Sequence, residues 1–404
     1  MIYEEELKYI LHLLRCAVSD KTPPNPQENL DWEVIFKIAQ KHRITSTIFY
    51  GLQKLPQQIQ HIPHFNDFFT AYQKNLILDA NRSFEINNLK SEFETHNIDY
   101  VLLKGSVTKH LYPDTSMRVM SDIDILFRTG IANKTQQNQM LISLMKKNEY
   151  KIWAKGPSEI GFYKPLAAIS SNMRIEMQTF LIDEGYDVWF AYLNNIWSRL
   201  TPKNNGHEYI MSDEDFYIYH IIHMAKHFLN GGIGIIHILD VYVINNALRN
   251  LDRQYISSEL KKVNLFKFEN IVRMLADYWF KSGYAFNDKS SGESKDTLDL
   301  MEEYIISGGA FGTKTRQEIN HIVRRDDGKV SLLKKIFPES STMIDYYGNV
   351  LKKHPYLLPF YYIRLNFKRF FLTGKESRKS YQAMNYISDD QIEKAKELMR
   401  RCGL

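Results

Sequence analysis

The segment from Ile98 to Leu126 constrains this chain most. Ile98–Leu103 is a short, mostly apolar run that ends at Lys104-Gly105, the pattern of a buried strand entering a tight turn. A second run, Ser121-Asp-Ile-Asp-Ile-Leu126, alternates with period two from Asp122 to Ile125. Alternate residues of a strand face one side, so Asp122 and Asp124 project together while Ile123 and Ile125 enter the opposite layer. Two carboxylates about 7 Å apart on one strand face repel each other, and a cation between them relieves that cost. Mg²⁺ suits such a pair, because it takes oxygen ligands and completes its shell with water and phosphates. The bland alternative is an exposed polar strand face, which the low strand propensity of Asp disfavours. In the turn, Gly105 permits a ligand to approach the backbone and Ser106 supplies a hydroxyl. The helix that follows offers N–H donors for phosphate oxygens. A plain strand-to-helix turn would read the same way.

Composition narrows the setting. The 404 residues carry a formal charge of +5, mildly basic and far from the concentrated field of a dedicated nucleic-acid binder. That balance is compatible with a polyanionic substrate. Cys16 and Cys402 sit near opposite ends, so neither a disulfide framework nor a cysteine zinc site is expected. The acidic N-terminus lacks a signal-like apolar core, and no run approaches the ~18 apolar residues of a membrane span. The expectation is a cytoplasmic protein with no membrane partner.

Helical periodicity dominates both ends. Residues 1–18 place Leu7, Ile10, Leu11 and Leu14 on one face, Asp31 can cap a helix through Lys41, and a short helix is expected over Ser46–Leu55. Asn66–His96 is a long stretch without Pro or Gly. Beyond Ile98 the character changes to strands at 98–103, 121–127, 161–164 and 173–180, with a helix at 134–147. Helices return from Asp213, read as a cap for a helix to about Phe228. Further helices are expected over 236–248, 256–282, 294–307 and 378–400. The reading is α+β, with a helical N-terminal region (1–96), an α/β core (97–200) and a helical C-terminal domain (201–404).

The order of parts resembles the polymerase-β-like nucleotidyltransferase superfamily: strand, Gly105-Ser106, short helix, then Asp122-x-Asp124 after 15 intervening residues. In that superfamily Gly-Ser grips a triphosphate and the two carboxylates hold divalent metals, on an α/β core with a mixed sheet. A more specific resemblance is to a bacterial family of largely uncharacterised nucleotidyltransferases. It rests on Leu103-Lys-Gly, Leu111-Tyr-Pro, Arg118-Val-Met-Ser-Asp-Ile-Asp-Ile-Leu, and a His-x-x-Lys-His helix found here within His220–His227, followed by Ile238-Leu-Asp240. Gly308-Gly-Ala-Phe-Gly312, Ile336-Phe-Pro338 and Leu358–Arg364 are also similar.

The resemblance implies a third acid on a later strand. Arg174, Glu176 and Gln178 share one face of 173–178, which makes Glu176 the candidate, as metal ligand or as general base. Members often carry His where this chain has Gln178, and the alternative reading of Glu176 is a simple pairing with Arg174 or a neighbouring basic residue. His220, His223 and His227 share a helix face, with Lys226 at its edge. A lysine there disfavours a bound cation, so Lys226 and His227 read as phosphate contacts or as a polar packing face. Arg118, Lys104 and Ser121 flank the carboxylates as further nucleotide contacts. The implied reaction moves an NMP from an NTP to a hydroxyl on a small molecule, an RNA end or a protein, with Mg²⁺ or Mn²⁺, as two ions. The alternatives are an NTP-binding regulatory module without turnover and a helical scaffold.

Overall fold

The computed structural model describes residues 4–55, 61–156, 158–166, 171–183, 185–281, 292–310, 312–324, 340, 343, 347, 349–371 and 387–404. Four helices lead: α1 (Glu4–Val18), α2 (Trp32–Lys41), α3 (Thr45–Leu52) and α4 (Phe65–Thr95). Asp31 caps α2, its carboxylate accepting from the N–H groups of Glu33 and Val34 at 3.0 and 3.1 Å.

Among the described residues five strands form the main sheet. They are β1 (Asp99–Leu102), β2 (Ile123–Arg128), β3 (Lys151–Lys155), β4 (Glu159–Leu166) and β5 (Ser171–Gln178). The spatial order is β1-β2-β5-β4-β3, and β2 pairs with β5 in parallel while every other neighbour is antiparallel. The protein is thus α+β with a mixed sheet. One face of β2 and β5, through Ile123, Ile125, Met173 and Ile175, buries against α4 and against α6 (Lys134–Lys147). Val101 and Leu126 of the opposite face join a second core, which also takes in helices from both ends of the chain.

β2 begins at Ile123 rather than Ser121, so Asp122 stands just before the strand, where its backbone is not committed to the ladder. β3 escapes sequence reading because Lys151–Lys155 is an exposed edge without apolar alternation. Gly105–Thr108 forms the single short turn α5, followed by a 3-10 turn over Lys109–Leu111.

After α7 (Asp187–Leu193) and the small hairpin β6 (Thr201–Pro202) and β7 (Tyr209–Ile210), the chain becomes helical. α8 (Asp213–Asn230) is capped by Ser212, whose hydroxyl accepts from Asp215 N–H at 3.1 Å. Asp213 is therefore not the cap but the first of three acids in the opening turn, where they complement the helix dipole. α9 (Ile235–Ala247) follows. The expected helix over 256–282 is two helices, α10 (Arg253–Lys262) and α11 (Phe266–Phe280), because Asn264 turns left-handed at φ 59° between them. Next come α12 (Gly292–Gly308), α13 (Lys314–Val323), α14 (Asn349–Lys353), α15 (Leu358–Phe371) and α16 (Asp389–Cys402). The expected helix over 378–400 is observed from Asp389, while 378–386, Phe311 and Ile336–Pro338 lie outside the described residues. Cys16 and Cys402 are buried and free. Among the described residues no helix is long and apolar enough to cross a membrane.

Polar clamps from the N-terminal helices fix the loop between β1 and β2. Asp79 on α4 accepts from Lys109 Nζ at 2.8 Å and from Thr115 Oγ1 at 2.6 Å. Arg82 donates to the Met120 carbonyl at 2.7 Å, and Thr47 donates to that of Met117 at 2.6 Å. Each bond satisfies a group that burial would otherwise leave unpaired. The loop that carries Arg118 to Asp122 is thereby held by residues distant in sequence.

The loop before α9 interlocks with the segment after α12. A Cβ on Gly234 would stand 2.6 Å from the Ala310 Cα and 3.1 Å from His42 Nδ1. Backbone cannot yield as a flexible side chain does, so Gly234→Ala should destabilise the chain by about 1–3 kcal/mol. Urea denaturation checks this, and an unchanged midpoint would mean that the two segments are not in contact.

Candidate functional site

The ends of β1, β2 and β5 meet α8 and α9 across a cleft of about 310 Å³, at the small end of ligand-site volumes. Lys104, Gly105, Arg118, Ser121, Asp122, Asp124, Glu176, Lys226 and His227 all line it. Residues separated by more than a hundred positions in sequence thus reach one surface.

The parallel pairing of β2 and β5 sets the centre. Its register places Asp124 opposite Glu176, on neighbouring strands. Asp124 is 4 % exposed. One of its oxygens, Oδ1, accepts from Lys104 Nζ at 2.7 Å and from Gln178 Nε2 at 2.8 Å. Burial pushes the Asp124 carboxyl up; Lys104 pulls it back and Asp122 pushes it further up. The same burial, with the charges of Asp124 and then Asp122, raises Glu176 to about 7. Burial alone would discharge Lys104, but Asp124 beside it more than offsets that and holds the ammonium above its ordinary range. Asp122 accepts from Ser121 Oγ at 2.8 Å.

Lys104 carries the strain of the turn. Its φ is 50° and its ψ −126°, a region that costs a non-glycine residue about 1–3 kcal/mol. The conformation is locked from three sides: Leu103 N–H donates to the Asp124 carbonyl at 3.0 Å, and Val107 and Thr108 donate to the Lys104 carbonyl at 3.0 and 2.9 Å. The left-handed residue is therefore Lys104, and Gly105 instead provides close approach to the cleft. Ser106 stands behind this layer. It is 1 % exposed, its N–H goes to the Leu103 carbonyl at 3.1 Å, and it is not among the residues lining the cleft.

Arg118 is anchored from the helical side. Its Nε reaches both oxygens of Asp240 on α9 at 2.7 and 2.9 Å, and its Nη2 reaches Oδ2 at 2.7 Å. Tyr112 also donates to Asp240, at 2.7 Å. Asp240 is fully buried, so it orients Arg118 rather than the histidines of α8. Lys226 donates to Asp183 at 2.6 Å at the cleft edge, an exposed pairing of small net strength.

The α8 face is richer than its histidines suggested. Tyr219 shares it with His223, Lys226 and His227 at helical spacing, and its buried hydroxyl has no partner among the described residues. Its position one turn before His223 was a readable signal. The His223 and His227 rings lie 4.4 Å apart, and His227 and His237 6.0 Å apart. Arg43, from the turn after α2, also lines the cleft, and no local pattern announces it.

Asp240→Ala leaves a mostly buried guanidinium without its carboxylate and should cost about 3–5 kcal/mol in chemical denaturation. Burial also pushes His42, His220 and His227 down to about 4 from an ordinary 6.5. The unfolded chain takes up protons below about 6.5 that the folded chain refuses, so stability should be full above pH 6.5 and fall steeply toward pH 4. Denaturation midpoints measured across that window test the sign, and His42→Gln should flatten the slope.

Comparison with known proteins adds one finding. No curated protein and no solved structure matches the chain. A family model described as uncharacterised nucleotidyltransferase matches residues 28–281, from α2 through the sheet and the cleft to the end of α11. The match covers well over half of the 404 residues and includes every cleft residue named above. Nucleotidyl transfer with an NTP as substrate is what that family describes. The chain belongs to the uncharacterised nucleotidyltransferase family.

Proposed function

We propose that the chain transfers a nucleoside monophosphate from an NTP to a hydroxyl of an acceptor, with pyrophosphate leaving. The observation that carries this reading is the convergence of Asp122, Asp124 and Glu176 at the ends of β2 and β5, facing Lys104, Arg118 and Lys226. Carboxylates held together in a buried place are suited to a hard divalent cation, and the basic groups opposite are suited to phosphate.

Among the described residues no group of three or more His, Cys, Asp or Glu side chains is arranged to hold a metal ion. The donor chemistry nevertheless fits Mg²⁺ or Mn²⁺: three carboxylates in one cleft, where burial and then the charges of Asp124 and Asp122 raise Glu176 to about 7. Asp122, Asp124 and Glu176 are the residues that would hold such metal, as two ions. A bound ion of this kind neutralises phosphate charge and makes the attacking hydroxyl more acidic. Lys104 and Arg118 stabilise charge that develops on the phosphoryl oxygens, and Lys226 with His227 holds the outer phosphates. Lys226 must leave Asp183 to do so, which an exposed ion pair allows at little cost. Glu176, near neutrality, is suited to accept the proton of the attacking hydroxyl if it is not a ligand. Gln178 orients Asp124 through its amide. Gly105 gives the triphosphate close access to the backbone, while Ser121 contributes a hydroxyl at the rim. Ser106 reaches a phosphate only if α5 shifts, because its hydroxyl is buried.

A second reading is a module that binds NTP without turnover. The Lys104–Asp124 ion pair and the amide of Gln178 in place of an imidazole favour it. The two readings part on pyrophosphate. The full chain is incubated with each of the four NTPs, labelled, with Mg²⁺ or Mn²⁺ and a cell extract as acceptor source. Pyrophosphate release is expected, and Asp122→Asn or Asp124→Asn should reduce it roughly 100-fold or more. Asp122→Asn should also abolish the metal-dependent rise in melting temperature given by NTP, while leaving apo stability level or higher because repulsion is relieved. Binding without pyrophosphate release would select the second reading.

A further inference from the structure

The turn that carries Arg43 is held by parts of the chain far from it in sequence. Ala310 N–H donates to the Lys41 carbonyl at 2.9 Å, and Lys41 Nζ donates to the Ser307 carbonyl at 2.7 Å. Between them His42 is fully buried. Its Nδ1 accepts from Ile235 N–H at 3.2 Å, so the ring proton sits on Nε2, 3.3 Å from the Ile306 carbonyl that accepts it. The glycine-rich segment after α12 makes this possible. Gly309 takes φ 77°, and a Cβ there would meet Lys41 at 2.7 Å. Gly309 and Ala310 form one jaw of a clamp on Lys41 and His42.

The clamp forces the next residue into an unfavourable shape. Arg43 has φ 57°, a conformation that costs a side-chain-bearing residue free energy and persists only where its surroundings impose it. The residue so held lines the cleft beside Arg118 and Asp122. Its charge acts on Asp122, and it feels the like charges of Arg118 and Arg174. Arg43 and Arg118 crowd like charge into a cleft whose wall also carries the buried hydroxyl of Tyr219, which has no partner among the described residues. Such crowding is relieved by an anion. The family match starts at residue 28 and so includes this turn.

We propose that Arg43 binds a phosphate oxygen of the nucleoside triphosphate, so that the N-terminal helical region forms one wall of the nucleotide site. This rests on the nucleotidyltransfer reading above. His42, Gly234 and Gly309 are positioning residues that deliver Arg43.

The test is titration calorimetry of the full chain with each NTP and with inorganic tripolyphosphate, in Mn²⁺. Arg43→Ala should weaken both ligands about tenfold or more, the size of one lost charge-assisted hydrogen bond. Arg43→Gly should lose affinity equally while its melting temperature holds or rises, since glycine tolerates φ 57°. A purely structural arginine would not separate affinity from stability in that way. Unchanged affinity for both ligands in Arg43→Ala and Arg43→Gly overturns the proposal while leaving nucleotidyl transfer intact. A wild-type chain that binds neither ligand overturns the nucleotidyltransfer reading and this proposal with it.

Discussion

Asp124 sits almost out of reach of solvent, across the strand register from Glu176 and beside Asp122, and Lys104 donates directly to it. Much of the cleft depends on that contact. Charged carboxylates in a desolvated place repel each other, and without a cation at hand one or more would take up a proton. Lys104 is brought to Asp124 by a backbone conformation that lysine does not favour, so the turn stores strain to keep the pair together. Glu176, left with less compensation, titrates near neutrality. Burial raises both acids, and Lys104 opposes that rise most directly at Asp124, to which it donates.

A second buried pair ties the cleft to the helices. Arg118 belongs to the loop between β1 and β2, and Asp240 to α9. Their bidentate contact couples the position of the loop to that of the helical layer, so the cleft has a fixed width on that side. On the other side α4 grips the same loop through Asp79 and Arg82. The loop is thus over-determined, as a segment must be when it carries polar groups that have to face one another without relaxing apart. The edge near Lys226 is different, since its partner Asp183 is well exposed and the pair can open at little cost.

Periodicity made most elements legible. Helix α6 falls on the expected 134–147, and α2 has its expected cap at Asp31. The elements that misled did so for local reasons. β3 is an exposed edge with no alternation, α10 and α11 are parted by one left-handed asparagine, and Ser212 outcompetes Asp213 as a cap. In the candidate site, Asp124 and Glu176 were readable because strand alternation ties side-chain direction to position, whereas Asp122 stands just before β2 and was readable by its motif alone. Tyr219 was readable in principle by helical spacing. Arg43 was not, because nothing around it in the chain has the pattern of a binding loop. Ser106 was readable as a motif, yet its burial was not.

Sequence by itself determined which residues share a face within one strand or helix, since backbone geometry fixes that within a few residues. It determined the strand-turn-strand unit, the acidic pair and the helical face of His223, Lys226 and His227. Tertiary structure decided everything that depends on contacts between distant segments. It set the β2–β5 register that aligns Asp124 with Glu176, the choice of Asp240 as partner to Arg118, and the clamp that aims Arg43 at the cleft. Those contacts join segments separated by tens to hundreds of residues, and no local periodicity encodes which distant group will neutralise a buried charge.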